Sequence, residues 1–109
     1  MAALGPISGS LLAASVEDLV WEINDGEVVI TDCDLQAAGE LVIPEQLEGF
    51  PVREVASWAF FNCSKLTKVQ LPESLRKVGV WGFSECHNLT EIYIPSHLSE
   101  LGLYTFASG

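Results

Sequence analysis

The chain has 109 residues, of which 49% are hydrophobic and 18% are charged. This composition suits one folded domain and excludes a disordered chain, which needs low hydrophobicity to remain unfolded. The formal net charge of −10 argues against nucleic-acid binding and against anionic membranes, because both need a basic surface.

The negative charge is concentrated in the first half of the chain. Residues 1–50 contain ten Asp and Glu and no Lys or Arg, whereas residues 51–109 contain five acids and five bases. We interpret the acidic half as a solvated surface that keeps the chain soluble. The alternatives are a calcium site and a docking face for a basic partner. Neither acidic cluster, at residues 25–27 or 32–34, is followed by the Asp/Asn, Gly and distal Glu of a calcium-binding loop, so we expect no metal.

The first segment is uncharged through residue 16 and carries the apolar sequence LLAAS at residues 11–15. It resembles the end of a secretory signal, but it has no positive region, and Pro6 and Gly9 interrupt the apolar run. It is also shorter than the ~20 residues that a membrane span needs. We therefore expect residues 1–17 to be a linker or the remnant of a targeting segment, with no convincing signal peptide and no membrane insertion.

The next segment predicts a β-hairpin. Residues 20–23 and 27–30 are rich in Val and Ile, and Asp25 and Gly26 between them are a strong two-residue turn signal. We expect residues 18–44 to form a capping hairpin and the strand that leads into the remainder of the chain. Such a hairpin would cover the open end of the first coil of a repeat structure.

An internal repeat dominates the rest of the sequence. Residues 55–78 superpose on residues 78–101 with a shift of 23, and a looser copy begins at Leu41. The distance from Pro44 to Pro72 is 28 rather than 23, which leaves an insert of five residues near Gly49. The aligned positions include Trp58, Trp81 and Tyr104; Phe60, Phe83 and Phe106; Cys63 and Cys86; and Pro72 and Pro95. A period of 23 falls in the range of leucine-rich repeats, about 20–29 residues.

The repeat predicts an α/β solenoid, mostly β, in which residues 45–109 form about two and a half coils. Within one unit, residues 66–71 are an extended segment that Pro72 ends, and residues 80–86 close the coil as a short helical turn. Stacking places each residue beside the one 23 positions later. It therefore predicts the rows Glu54–Lys77–Glu100, Lys68–Glu91 and Thr67–Thr90.

The repeat unit resembles the BspA-type leucine-rich repeat, whose units read roughly I-G-x-x-A-F-x-x-C-x-x-L-x-x-I-x-I-P-x-S-V. The matching stretches are VASWAFFNCSKLTKVQLPES at residues 55–74 and VGVWGFSECHNLTEIYIPS at residues 78–96, and a third copy begins at Leu101. The resemblance covers about residues 20–109. Two departures are the tryptophans at 58 and 81 in place of a Tyr-like aromatic, and Ala56 in place of glycine.

The resemblance implies a short right-handed solenoid with an N-terminal β-hairpin cap. Proteins of this family occur on bacterial and protozoan surfaces, where they adhere to host or partner proteins. It therefore implies a cell-surface or extracellular, non-catalytic module of the adhesion type. The alternative is a structural spacer, or the N-terminal fragment of a longer surface solenoid whose ligand site lies elsewhere.

The reactive side chains do not form a pattern that indicates catalysis. Cys63 and Cys86 occupy equivalent positions in neighbouring coils, where a disulfide is feasible, although buried reduced thiols are favoured. Cys33 has no repeat equivalent and is expected to be the only accessible cysteine. His87 and His97 fall at surface corners. We therefore expect no catalytic residues, no metal and no cofactor.

Two surfaces are candidates for binding. The outward positions of the strands form a candidate protein-binding face, which contains Lys68, Gln70, Glu91 and Tyr93, with Glu40 and Val42 from the looser copy. The last coil offers a candidate self-association end, which contains Ile92, Ile94, Leu98, Leu101 and Phe106. We expect a protein partner on the face. At the end we expect either a second copy of the chain or further repeats.

Overall fold

The structure is a computed structural model that describes residues 13–103, 105 and 106. A short 3-10 helix (Val16–Asp18) precedes nine strands. The strands are β1 (Leu19–Asn24), β2 (Glu27–Cys33), β3 (Gly39–Val42), β4 (Gln46–Leu47), β5 (Phe50–Val55), β6 (Leu66–Gln70), β7 (Lys77–Val78), β8 (Glu91–Tyr93) and β9 (Glu100–Leu101).

The strands form two sheets whose order follows the coils. The first sheet has the order β1-β2-β5-β7-β9, with β4 paired to β5, and the second has the order β3-β6-β8. Apart from the hairpin pairs β1–β2 and β4–β5, all strand pairs are parallel. Each coil thus adds one strand to each sheet, which is the arrangement of a solenoid. The described residues contain no α-helix, so the chain is a mostly-β solenoid, as the repeat predicts.

The strand register confirms the period of 23. Lys77 pairs with Glu54 on one side and with Glu100 on the other. Lys68 pairs with Glu91 in the second sheet. The predicted rows Glu54–Lys77–Glu100 and Lys68–Glu91 are therefore rows of neighbouring strands, and each cross-strand pair of this kind stabilises the stack by about 0.2–1 kcal/mol. Thr90 precedes β8, and its N–H donates to the Thr67 carbonyl at 3.0 Å.

The two hairpins have tight turns with positive φ at both central residues. Asp25 and Gly26 have φ of 52° and 77°, and the predicted first hairpin forms around them as β1 and β2. The five-residue insert forms the second hairpin, β4–β5, whose turn residues Glu48 and Gly49 have φ of 55° and 85°. Positive φ at both positions matches the right-handed twist of the flanking strands, which favours hairpins this short.

Inward side chains from every coil form one core. Phe83 is 1% exposed, and its ring stacks on Phe60 at 4.6 Å and on Phe106 at 6.0 Å between centroids. Leu19, Val28 and Ile30 of the first hairpin are buried in the same core. The hairpin therefore belongs to the packed stack of coils and extends its first sheet.

The segment that closes each coil differs from the predicted helical turn. Between residues 56 and 63, the N–H groups of Ala59, Phe61 and Cys63 donate to the carbonyls three residues back. The alternate N–H groups of Trp58, Phe60 and Asn62 donate to Val80, Gly82 and Ser84 in the next coil. An α-helix keeps its backbone hydrogen bonds within one segment. Here every second backbone N–H donates to the next coil, so the segment is a run of turns and not a helix.

Close stacking at this corner explains a glycine of the repeat. A Cβ on Gly79 would lie 2.5 Å from the backbone nitrogen of Ser57 in the preceding coil, and one on Gly102 would collide with the backbone of Val80. Ala56 occupies the equivalent position one coil earlier. The segment that precedes Ala56 in the stack is β2, which stays extended through Cys33, whereas the later coils turn at this point. The departure from glycine therefore sits where the stack begins.

Candidate functional site

The outward side of the second sheet carries two rows of side chains across β3, β6 and β8. One row is Glu40, Lys68 and Glu91, and the other is Val42, Gln70 and Tyr93, by the register of the three strands. All except the half-buried Lys68 are exposed. The spacing of these side chains is set by backbone pairing in a parallel sheet, so the face is a preorganised surface.

A groove of about 550 Å³ lies on this face. It is lined by Lys68, Gln70, Glu73, Glu91, Ile92 and Tyr93. The structure thus brings together the four side chains of the candidate face and adds two that sequence reasoning did not place there. Ile92, which the sequence assigns to the candidate self-association end, is half-buried beneath the groove.

Tyr93 is held in the groove by Glu73. Its hydroxyl donates a hydrogen bond to the Glu73 carboxylate, and its side chain remains 49% exposed. The hydrogen bond and then the negative charge of Glu73 raise the pKa of Tyr93, because both favour the neutral phenol. Glu73 follows the strand-ending proline of one coil, whereas Tyr93 lies in the next coil. The shift of 23 residues places Tyr93 beside Gln70, so the contact with Glu73 is diagonal and the period alone does not predict it.

The turn that carries Glu73 is itself fixed by Glu45. The carboxylate of Glu45 accepts hydrogen bonds from the backbone N–H groups of Glu73 and Ser74, at 2.8 and 2.9 Å. The Ser74 hydroxyl donates to the Val52 carbonyl at 2.8 Å with the Glu45 carbonyl also in reach at 3.1 Å, and Arg53 donates to the Ser74 carbonyl. The partner of Tyr93 therefore stands on a backbone that several hydrogen bonds hold in place.

The cation of the face is opposed by acids. Nζ of Lys68 lies 4.0 Å from a carboxylate oxygen of Glu40, and Lys68 pairs in register with Glu91 on its other side. Both partners of the ion pair are nearly half exposed, so the pair contributes little to stability, about 0–1 kcal/mol. The row therefore carries two carboxylates and one ammonium.

The prediction that Cys33 is accessible is wrong, because Cys33 is buried and only 3% exposed. In the β1–β2 pairing, Trp21 lies opposite Ile30 and Val20 lies opposite Asp32. Thr31 is therefore an extra residue in β2. This bulge reverses the alternation of inward and outward side chains beyond it. Cys33 therefore points into the core.

The three cysteines are free thiols in the core and at its margin. A hydrogen bond to Cys63 and then burial raise the pKa of Cys33 far above its ordinary value. Burial raises the pKa of Cys86, which is half-buried, to about 11, and its thiol donates to the Phe60 carbonyl. Protonated thiols are poor nucleophiles, so Cys33 and Cys86 are poorly suited to covalent catalysis.

The two histidines lie at the surface. Nε2 of His87 is 2.9 Å from a carboxylate oxygen of Glu85, and His97 is exposed. Within residues 13–103, 105 and 106, no three His, Cys, Asp or Glu side chains cluster in a way that could hold a metal ion.

The candidate self-association end has unequal exposure. Ile94, Leu101 and Phe106 are exposed, while Ile92 and Leu98 are half-buried against the core. The strands β8 and β9, from which this end is built, are the outermost strands of their sheets in the order described above. Backbone groups at a sheet edge and apolar side chains therefore lie at one end of the stack.

A stacked aromatic pair at the surface, formed by the exposed Trp58 and the half-buried Trp81, was missed by the sequence reasoning, which aligned the two residues but assigned them no exposure. The two indoles stack at 5.2 Å with an angle of 12° between their planes, and Phe61 meets Trp58 edge to face at 4.9 Å. Trp58 is 51% exposed and its φ is positive, at 68°. The third aromatic of this row, Tyr104, lies outside the described residues.

Comparison with protein families gives one match over most of the chain. A family model described as "BspA type Leucine rich repeat region (6 copies)" matches residues 37–109. No curated protein is significantly similar to this sequence. In the described part of the chain, no helix has the length and apolarity that crossing a membrane requires.

Solved structures of three bacterial proteins share the fold. The T. pallidum Leucine Rich Repeat protein is 30% identical with a TM-score of 0.74, over 82% of this chain and 42% of that protein. A leucine rich cell surface protein from Faecalibacterium prausnitzii A2-165 is 24% identical with a TM-score of 0.67, over 78% and 25% of the two chains. A leucine-rich repeat protein from Bacteroides capillosus ATCC 29799 is 21% identical with a TM-score of 0.66, over 84% and 94%. The chain thus spans less than half of the first two proteins.

Proposed function

Because the chain belongs to the BspA-type leucine-rich repeat family, we propose that it is a non-catalytic protein-interaction module that binds its partner on the outward side of β3, β6 and β8. The observation that carries this proposal is the groove, which gathers Lys68, Gln70, Glu91 and Tyr93 on one preorganised surface. Leucine-rich repeat families are typically non-catalytic, and repeat proteins commonly bind other proteins through their stacked surfaces.

The chemistry of the face also favours a protein ligand. An exposed tyrosine whose hydroxyl is already hydrogen-bonded presents a rigid ring, and tyrosine is enriched in protein interfaces for this reason. Charged and amide side chains surround it, as in the polar rim of an interface.

We further propose that the module acts at the cell surface or outside the cell, as an adhesion-type domain. The family resemblance supports this location, and one protein of the same fold is described as a leucine rich cell surface protein. A structural spacer within a longer surface protein is the competing function, and it would not need the groove.

Site-specific crosslinking tests the proposal. A photo-reactive amino acid that replaces Gln70, which lines the groove, should give one discrete adduct with a protein in a mixture of extracellular proteins. The same amino acid at Glu22, exposed on β1 at the other end of the stack, is the matched control. Mass spectrometry identifies the partner, and Tyr93→Ala in the Gln70-labelled chain should abolish the adduct while circular dichroism remains unchanged.

Equal adducts from positions 70 and 22, or an adduct that survives Tyr93→Ala, would contradict binding at the groove. No adduct from either position would favour the structural spacer.

A further inference from the structure

The groove on the second sheet has a charge and a shape that select among partners. We infer that it receives a lysine or arginine side chain of the partner protein, beside the Tyr93 ring and between the carboxylates of Glu73 and Glu91. This inference rests on the proposed function, because it specifies the chemistry of the partner that the same face binds.

The local charge of the groove favours a cation. Glu73 and Glu91 line the groove together with Lys68, and Glu40 adjoins Lys68 at 4.0 Å. Of the charged side chains that line the groove, two carboxylates oppose one ammonium, so the lining has a net charge of −1, while the Arg76 guanidinium donates to the Glu73 carbonyl at the adjoining turn. Since Lys68 already lies beside Glu40, an acidic partner would compete with that carboxylate for the ammonium. A basic partner would instead place a cation between Glu91 and Glu73, whose carboxylate also accepts from the Tyr93 hydroxyl.

The fixed orientation of Tyr93 also favours a cation. Its hydroxyl is tied to Glu73 and its backbone belongs to β8, so both ends of the side chain are held. Half of the side chain is exposed. A cation over a tyrosine ring is attracted by the negative face of the π system. Flanking carboxylates add charge-assisted hydrogen bonds to the same cation.

The charge of the whole chain favours a basic partner as well. The formal net charge is −10, and the ten acids of residues 1–50 are not balanced by any Lys or Arg there. Such a field accelerates the encounter with a basic partner and slows the encounter with an acidic one. The field attracts cations in general, and the groove supplies the position at which one of them is bound.

Matched peptides test this inference on the full chain. The probes are the capped heptapeptide Gly-Ser-Arg-Gly-Arg-Ser-Gly and the same peptide with both arginines replaced by glutamates, at physiological ionic strength. Amide chemical shifts of the isotopically labelled chain report where each peptide binds. The arginine peptide should shift the amides of β6 and β8 and should bind more tightly than the glutamate peptide.

Two double variants with the same change in charge separate the groove from the general field. Glu73→Gln with Glu91→Gln should raise the Kd of the arginine peptide about fivefold, as expected for the loss of two exposed charge pairs. The Glu73→Gln change keeps a side-chain oxygen that can accept from the Tyr93 hydroxyl, so the fold is preserved. The control, Glu17→Gln with Glu22→Gln, should change Kd by less than about twofold, because it alters only the distant field.

Three outcomes would overturn the inference: an equal rise of Kd in both double variants, shifts confined to the acidic N-terminal half, or tighter binding of the glutamate peptide. Crosslinking from position 70 distinguishes these failures from a failure of the proposed function. An adduct that persists with Glu73→Gln and Glu91→Gln would show that the face binds a protein without using a basic side chain.

Discussion

Single aromatic residues show how this solenoid combines a rigid core with a chemically distinct surface. Phe83 lies between Phe60 and Phe106 with almost no exposure, so its ring links neighbouring coils. Tyr93 extends in the opposite sense, outward from β8, and is bound by a carboxylate of the coil before. The same stacking of coils thus produces a buried aromatic ladder and an exposed tyrosine in a fixed orientation.

At this scale, Phe83→Ala should lower the free energy of unfolding by about 3–5 kcal/mol, because it removes a buried ring and leaves a cavity between coils. A domain of this size has a total stability of roughly 5–15 kcal/mol, so the loss should be plain in urea or thermal denaturation. Phe50→Ala is the control, since Phe50 is exposed, and it should cost much less. Equal losses for the two variants would contradict the central position of Phe83.

The titration of Tyr93 gives a second prediction. In the folded chain the pKa of Tyr93 lies above the ordinary value of 10.0. The stability that the neutral phenol contributes is therefore complete below pH 10 and is lost as the pH rises through the folded pKa. Glu73→Gln should lower the pKa of Tyr93 toward 10.0, because it removes the neighbouring charge. Tyrosinate absorbance measures the titration, and Tyr93→Phe subtracts the other tyrosine. An unchanged pKa in Glu73→Gln would contradict the contact.

At the scale of elements, the strands β5, β7 and β9 are too short to be stable alone and depend on their neighbours in the stack. Glu54, Lys77 and Glu100 follow one another across these three strands. Opposite charges directly across a sheet stabilise it, while like charges destabilise it. The alternation of acid, base and acid therefore favours the observed strand register over registers shifted by one or two residues.

Lys77→Glu should accordingly destabilise the fold by about 1–2 kcal/mol, since it places three acids in one row, and the loss should shrink at high salt. Lys65→Glu is the matched control, because the Lys65 ammonium donates to the neutral side chain of Gln36. Denaturant unfolding at two salt concentrations measures both variants. A loss that does not depend on salt, or one equal to that of the control, would show that charge along the row is not its cause.

At the scale of the whole molecule, the two ends of the stack differ. The β1–β2 hairpin lies at one end of the first sheet, and the apolar side chains Ile94, Leu101 and Phe106 are exposed at the other. Exposed apolar groups beside free sheet edges favour association. We propose that this end meets a second copy of the chain or further repeats, with the acidic N-terminal half outside the contact because like charges repel.

The expected result is that the 109-residue chain self-associates at micromolar concentrations and that Leu101→Lys shifts it toward the monomer. Sedimentation velocity measures both. Val20→Lys replaces an exposed apolar residue at the opposite end and should leave the association unchanged. A chain that is monomeric before and after Leu101→Lys, with no gain in solubility, would contradict the proposal.

Much of the fold follows from the sequence because a repeat determines which residues must lie side by side. The period of 23 predicts the register of Lys68 with Glu91 and of Lys77 with Glu54, and Asp25-Gly26 predicts the first turn. Alternation within residues 66–70 also predicts which side chains are outward, so four residues of the candidate face could be named before the groove was known.

The tertiary structure decided the features that depend on exceptions to the repeat. A bulge at Thr31 reversed the orientation of Cys33, and no periodic pattern contains that information. Backbone hydrogen bonds between coils replaced the expected helical turn at residues 80–86 with a run of turns. Glu73 lines the groove because the turn after β6 lies beside Tyr93 on β8 of the next coil. This contact is diagonal across the coils, so it depends on the path of the backbone as well as on the repeat period. Sequence periodicity determines which residues of neighbouring coils lie side by side. The direction of a side chain beyond a bulge or a turn is determined only by how the coils pack.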